Sequence, residues 1–143
     1  MYFDEFKLGM TVKTAPAVIK KEKMLAFARE YDYLPLHTDE EYAKTTPFGQ
    51  LISPGMVSFM SVWAKYLEVD FFGEELLVGI STKIEWFKPV FAGDVLTGTV
   101  TVTNLIRRNE KNGLVEMTFH VCNQNGDHVL TAITETIVKC KMH

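Results

Sequence analysis

The run of residues from Pro54 to Leu67 constrains the fold of this chain more than any other segment. It carries a single charge, Lys65, and most of its other side chains are apolar. Ser53 is a favoured helix N-cap and Pro54 a favoured first helical residue, so a helix is predicted to begin here. A helix that is apolar on nearly all sides requires other structure to enclose it.

The sequence after this helix predicts what encloses it. Between positions 96 and 103, threonines alternate with apolar residues and Gly98, which is the period of a strand. Asn112-Gly113 and Asn125-Gly126 are hairpin-turn signals. These patterns predict an α+β fold in which a long antiparallel sheet wraps the central helix. The predicted strands are Thr11–Ile19 and then, as a late meander, Leu76–Val90, Val95–Arg108, Leu114–Gln124 and His128–Lys141.

Composition limits the classes of function. The 143 residues fit one domain, residues 1–143, with a sizeable core. A net charge of -3 and a pI near 5.8 give no reason to expect nucleic acid or an anionic membrane surface. The amino terminus is too polar and acidic for a signal peptide, and no apolar run reaches membrane-spanning length, so a cytoplasmic protein is expected. Cys122 and Cys140 lack metal-ligand spacing and are expected to be reduced thiols.

The segment from Asp32 to His37 holds an acid and an imidazole on a stiff loop. Apolar residues at positions 24, 27, 28 and 31 predict a helix over Lys20–Tyr31 that is buried on one face. Thr38-Asp39-Glu40-Glu41 matches a capping box, so another helix is predicted to start at Thr38. Pro35 stiffens the loop between them. Asp32 and His37 could hold one water molecule for addition to an activated double bond, or they could simply flank two helices.

Three motifs of this sequence belong together. They are D-x-x-P-x-H from Asp32, T-x-F-G-x-x-I-x-x-G-M from Thr46, and Phe87-Lys88-Pro89-Val90-Phe91-Ala92-Gly93-Asp94, similar to F-x-x-P-V-x-x-G-D. These motifs resemble those of the MaoC-like acyl dehydratases, the group that includes the (R)-specific enoyl-CoA hydratases of the hotdog fold. The resemblance covers about residues 5 to 140. It implies a hotdog fold, with the family's catalytic Asp at Asp32, its catalytic His at His37 and its helix-start glycine at Gly55.

Hydration of an enoyl thioester needs a base, an acid and a group that stabilises negative charge on the thioester oxygen. We expect Asp32 to be the base and His37 the second water ligand and proton shuttle, kept neutral by the helix start that follows it. The Gly55 N–H could donate to the thioester oxygen while the Ser53 hydroxyl caps a neighbouring N–H. Glycine would also let the substrate approach the backbone closely. The alternative is that Ser53, Pro54 and Gly55 only start a buried helix.

The acyl chain is expected along one stripe of the central helix. Met56, Phe59, Met60 and Trp63 are spaced i, i+3, i+4 and i+7 and lie on one face. If this face borders the acyl tunnel, Ser53, Met56, Phe59 and Trp63 contact the substrate, and Trp63 favours chains of about four to six carbons. Alternatively, the whole stripe packs against the sheet.

Three residues depart from the family pattern and bear on the substrate. Many members have Asn where this chain has Leu34, and often His or Ser where it has Pro54. Trp63 replaces a small polar residue that some members carry on the central helix.

The leading hypothesis is a lyase of fatty acid metabolism that reversibly hydrates a 2-enoyl-CoA, or another enoyl thioester, to the 3-hydroxyacyl thioester. No cofactor is expected beyond the coenzyme A thioester itself as substrate, and no metal. A hotdog acyl-CoA thioesterase is an alternative, although the central helix lacks the acidic residue that such enzymes often carry. Leu34 and Trp63 suggest a third possibility, a non-catalytic acyl-thioester binding protein. Open sheet edges predict a homodimer.

The remaining polar clusters are assigned to the surface or to packing. His120, His128 and the terminal His143 have no predicted role in the site. Arg107, Arg108 and Lys111 form a small basic cluster that is expected to be a solvated face rather than a clamp for the phosphates of coenzyme A.

Overall fold

The structure is a computed structural model that describes residues 1–142, so the expectation for His143 lies outside the described residues. Helices occupy the first half of the chain and long strands the second half, as predicted. Two short 3₁₀ turns cover Phe3–Glu5 and Gly73–Glu75. The helices are α1 (Lys21–Tyr31), α2 (Pro35–Thr38), α3 (Glu40–Lys44) and α4 (Gly55–Glu68), and the strands are β1 (Thr11–Lys13), β2 (Ala17–Val18), β3 (Leu76–Trp86), β4 (Val95–Arg107), β5 (Asn112–Cys122) and β6 (His128–Lys139).

The long helix α4 packs against one face of the sheet, which confirms the predicted architecture. At the centre of this contact the Phe119 ring of β5 lies 5.9 Å from the ring of Phe59 and 5.0 Å from that of Tyr66. On β4, a Cβ added to Gly98 would lie 2.8 Å from Val62 Cγ1, so the glycine allows the helix to approach the strand closely. The apolar face of α4 and the inward face of the sheet therefore form one core.

The sheet has the strand order β1-β4-β5-β6-β3, with β2 also pairing with β4, and every pairing is antiparallel. The predicted meander is correct for β4, β5 and β6 but wrong for β3, which pairs with β6 and not with β4. β3 also ends at Trp86 rather than Val90, shortly before Pro89, which has no N–H for a strand ladder. Residues 87–94 instead cross between the strands, and Phe91 forms an isolated bridge with Ile52.

Local side-chain chemistry explains two further corrections. The predicted strand Thr11–Ile19 is two short strands, separated around Pro16, which cannot donate to a ladder. The turn between β4 and β5 does not lie at Asn112-Gly113, which belong to β5. It lies at residues 108–111, where Asn109 Oδ1 accepts from the N–H groups of Lys111 at 2.7 Å and Asn112 at 3.0 Å.

The second turn prediction is confirmed. The Gly126 N–H donates to the Asn123 carbonyl at 3.0 Å, and Gly126 has a φ of 79°, a conformation that favours glycine. Within residues 1–142, no helix combines the length and the apolar character that a membrane span requires.

Parts of the predicted buried surface face outward. On α1, Met24 and Ala28 are buried, but Tyr31 is 71% exposed. On α4, Met56, Met60 and Leu67 are each more than 40% exposed, so this chain does not enclose the helix on all sides. Apolar side chains are also exposed along β3, at the edge of the sheet. The fold therefore leaves an apolar surface that includes the outer face of α4 and strand β3.

Candidate active site

Asp32 and His37 form a close carboxylate–imidazole pair. Asp32 terminates α1, and its Oδ2 lies 3.2 Å from His37 Nε2. The other imidazole nitrogen of His37, Nδ1, is 2.7 Å from the carbonyl of Ile52. His37 is buried, whereas the Asp32 side chain is 36% exposed. The carboxylate is therefore the member of the pair that is open to water.

The contact with Ile52 fixes the proton on one imidazole nitrogen. A carbonyl only accepts hydrogen bonds, so His37 Nδ1 carries a proton. The other nitrogen, Nε2, lies 3.2 Å from Asp32 Oδ2, so one bound water molecule can contact both atoms. The pair therefore places an imidazole nitrogen beside an exposed carboxyl oxygen, which suits acid–base chemistry.

The local backbone around His37 differs from the prediction. His37 lies in the short helix α2, because Pro35 has the φ that suits a first helical residue. Thr38 does not cap the next helix, since its hydroxyl donates to the Leu34 carbonyl at 3.0 Å. Asp39 caps α3 instead, accepting from the Tyr42 N–H at 3.1 Å. The argument that a following helix start keeps His37 neutral is therefore wrong, because His37 lies in the last turn of α2.

The start of α4 provides two free backbone donors, although its cap is not the predicted one. Pro54 is the N-cap residue and Gly55 the first helical residue, and the Ser53 hydroxyl donates to the Pro54 carbonyl at 3.1 Å rather than capping an N–H. The Pro54 carbonyl also accepts from the N–H groups of Val57 and Ser58. Among residues 1–142, neither the Gly55 N–H nor the next one along the helix has an acceptor.

One cavity of about 650 Å³ brings these groups together. The three catalytic candidates, Asp32, His37 and Gly55, all line it, and so do Ser53 and Met56. The other lining residues are mostly apolar, as in many small-molecule sites. They are Leu34, Leu36, Phe48, Ile52, Ser58, Trp86, Phe87, Lys88, Pro89 and Val90.

The predicted stripe on α4 does not border one tunnel. Phe59 is 5% exposed and belongs to the core, and the Trp63 ring lies 5.7 Å from that of Phe119. Met60 lines a separate groove between α1 and α4. Of the four residues, only Met56 lines the cavity that contains Asp32 and His37. Phe59 and Trp63 therefore pack against the sheet, as the alternative prediction had it. Trp63 does not border the cavity, so the structure gives no reason to expect that it limits the length of the acyl chain.

Sequence reasoning missed Trp86, the last residue of β3. Its indole lies directly on the first turn of α4, where Nε1 donates to the Gly55 carbonyl at 3.1 Å. A Cβ at position 55 would lie 2.5 Å from Trp86 Cε2, closer than real Cβ contacts. A larger residue at this position would therefore displace the indole from its observed place. The sequence shows a Trp shortly before Pro89, but no pattern in it indicates that this Trp contacts Gly55.

His120, His128 and Arg107 lie outside the cavity that holds Asp32 and His37. The rings of His120 and His128 stack with centroids 4.1 Å apart, and burial, followed by the nearby His128, lowers the pKa of His120. Arg107 pairs with Asp4 at 3.2 Å and does not line the cavity. Within residues 1–142, no three His, Cys, Asp or Glu side chains are grouped as metal ligands.

Comparisons with known proteins agree with this fold. The sequence profile of the MaoC like domain matches residues 5–124. YdeM of Bacillus subtilis is 26% identical over 140 residues, covering 97% of this chain and 99% of YdeM. An (R)-specific enoyl-CoA hydratase of Rhodospirillum rubrum is 31% identical over 105 residues, covering 73% of this chain and 72% of that enzyme.

A solved structure extends the likeness to three dimensions. The monoamine oxidase regulatory protein of an Archaeoglobus superposes with a TM-score of 0.94 at 28% identity, covering 99% of this chain and 96% of that one. This chain therefore belongs to the MaoC-like dehydratase family and has its hotdog fold.

The contact between Gly55 and Trp86 can be tested through stability. We predict that Gly55→Ala lowers the free energy of unfolding by about 1–3 kcal/mol, because the added methyl group displaces the indole. Helix propensity alone would favour alanine, so the sign of the change separates the two effects. Urea denaturation followed by tryptophan fluorescence measures it. The control is the same Gly55→Ala change in a Trp86→Ala background, where the ring that the methyl group would meet is absent and the loss of stability should disappear. Equal stability of Gly55→Ala and the unsubstituted protein would contradict the contact.

Proposed function

We propose that this protein is a lyase that reversibly adds water to a 2-enoyl thioester, with a coenzyme A thioester as the substrate and no further cofactor. The observation that carries this proposal is the Asp32 carboxylate 3.2 Å from the His37 imidazole at the wall of the cavity. The same cavity is lined by Gly55 and Met56, whose N–H groups are free to bind an oxygen that gains negative charge.

The reaction balances with these groups alone. In the hydration direction, a water molecule held by Asp32 and His37 forms a bond from its oxygen to C3 of the enoyl thioester, and its proton passes to the pair. The electrons of the double bond move onto the thioester oxygen, where the N–H groups of Gly55 and Met56 stabilise the charge. The pair then delivers a proton to C2. Because Asp32 Oδ2 and His37 Nε2 lie 3.2 Å apart, the base is the pair rather than either residue alone.

The comparisons support the reaction class. The Rhodospirillum rubrum relative is an (R)-specific enoyl-CoA hydratase, and the match covers 73% of this chain. The matched residues 5–124 include Asp32, His37 and Gly55. The thioesterase alternative gains no support, because α4 has no acidic residue before Glu68, which pairs with Lys65 at 3.4 Å.

One assay separates the candidate functions. The purified protein is mixed with crotonyl-CoA, and both the enoyl absorbance and the free thiol are followed. Loss of the enoyl absorbance without thiol release supports the hydratase. Thiol release would indicate a thioesterase, and binding without either change would indicate a non-catalytic acyl-thioester binding protein.

The mechanism predicts the effect of removing either member of the pair. Asp32→Asn and His37→Gln should each lower kcat/KM for hydration by about two orders of magnitude or more, because each removes a proton carrier. His120→Gln is the control, since His120 is exposed and lies outside the cavity. Thermal unfolding checks that all three variants fold. Turnover close to the original in either Asp32→Asn or His37→Gln would contradict the mechanism.

We also propose that two copies of the chain associate as a homodimer. Strand β3 is at an open edge of the sheet and exposes Leu77, Val78 and Ile80. The outer face of α4 also exposes Met60 and Leu67. An unprotected apolar edge strand favours pairing with another chain.

Sedimentation equilibrium tests the dimer. At micromolar concentration we predict a species of twice the 16.3 kDa chain mass. Ile80→Lys places a charge on the apolar edge and should shift the protein toward monomer. Leu8→Lys is the matched control, because Leu8 is exposed but lies outside β3 and α4. A 16.3 kDa species alone for the unsubstituted protein would overturn the proposal.

A further inference from the structure

The two free donors at the start of α4 belong to two different peptide units. The Gly55 N–H shares a planar unit with the Pro54 carbonyl, and the Met56 N–H shares one with the Gly55 carbonyl. A group that binds either carbonyl therefore also fixes the direction of the N–H on the other side of the same unit.

Each of these two carbonyls accepts a hydrogen bond from a side chain that lines the cavity. The Ser53 hydroxyl donates to the Pro54 carbonyl at 3.1 Å, and Trp86 Nε1 donates to the Gly55 carbonyl at 3.1 Å. Ser53 is buried, so its bond is protected from water. Trp86 is half-exposed, but its ring lies against the backbone at Gly55 and leaves no room for a Cβ there.

These bonds also change the strength of the donors. A hydrogen bond to the carbonyl of a peptide draws electrons toward its oxygen and makes the N–H of that peptide a better donor. The effect is greatest when the N–H faces an oxygen that becomes negative, because bonds to charged groups are the stronger ones. In the proposed hydration, the thioester oxygen becomes negative when the enolate forms.

We propose that Trp86 and Ser53 are positioning residues for the thioester oxygen: Trp86 orients and polarises the Met56 N–H, and Ser53 does the same for the Gly55 N–H. This inference rests on the proposed hydratase function. It also gives Ser53 a different task from the direct substrate contact expected from the sequence. The thioester oxygen gains its negative charge only as the enolate forms, so the effect falls on the transition state rather than on binding.

Kinetics of Trp86→Phe supply the first test. Phenylalanine keeps an aromatic wall but has no N–H, and we expect kcat to fall about three- to tenfold while KM changes less than about twofold. Ser53→Ala should act in the same direction. Trp63→Phe is the control, because Trp63 packs against the core and does not line the cavity. Replacing Trp86 by benzothienylalanine, which has sulfur in place of the N–H, keeps the bicyclic shape should Phe disturb folding.

A spectroscopic readout separates positioning from structural support. Acetoacetyl-CoA has an enolate form that absorbs in the near ultraviolet and resembles the charged intermediate. At a fixed pH, the bound ratio of enolate to ketone should fall about three- to tenfold in both Trp86 variants, because the donor to the oxygen is weaker. Affinity for crotonyl-CoA in its uncharged form should stay within about twofold in the same variants.

The outcomes distinguish this inference from the function on which it rests. Lower kcat and less bound enolate in the Trp86 variants, with Trp63→Phe unchanged, support the positioning role. A hydratase whose Trp86 variants keep the original kcat and enolate ratio overturns the positioning role and leaves the proposed function intact. A protein that hydrates no enoyl thioester overturns both.

Discussion

The hydrogen bond between His37 Nδ1 and the Ile52 carbonyl is the interaction on which the candidate site depends. It is 2.7 Å long, and His37 is buried. It fixes which imidazole nitrogen carries a proton and turns Nε2 toward Asp32. The Ile52 N–H donates back to the Leu36 carbonyl at 3.2 Å, so reciprocal bonds join α2 to the segment that leads into α4.

The same short segment is held on its other side by the crossover between β3 and β4. Ile52 bridges to Phe91, and the Ser53 N–H donates to the Val90 carbonyl at 2.7 Å. These contacts place the start of α4 between the Asp32–His37 pair and the crossover residues. The cavity is the space left between these two walls, and Trp86 contacts Gly55 where the crossover begins.

Local patterns in the sequence predicted the helices and strands, which depend mainly on residues close together in the chain. The apolar run of α4 and the alternation in β4 each indicated the correct element, and their sizes implied the sheet-and-helix architecture. The pairing of β3 with β6 and the contact of Trp86 with Gly55 depend on residues distant in the chain, and no local pattern records them. The family resemblance named Asp32, His37 and Gly55, which the structure brings to one cavity, while the spacing of Phe59 and Trp63 could not show which side of α4 faces that cavity.

The state of the His37 ring is the most direct test of this account. Nitrogen-15 NMR of the protein with labelled histidine, assigned by comparison with His37→Gln, reports which ring nitrogen carries a proton. The account predicts that Nδ1 of His37 is protonated throughout the range of pH in which the protein stays folded, because it donates to the Ile52 carbonyl. A neutral His37 protonated only on Nε2 would contradict it, because the Ile52 hydrogen bond would then be impossible.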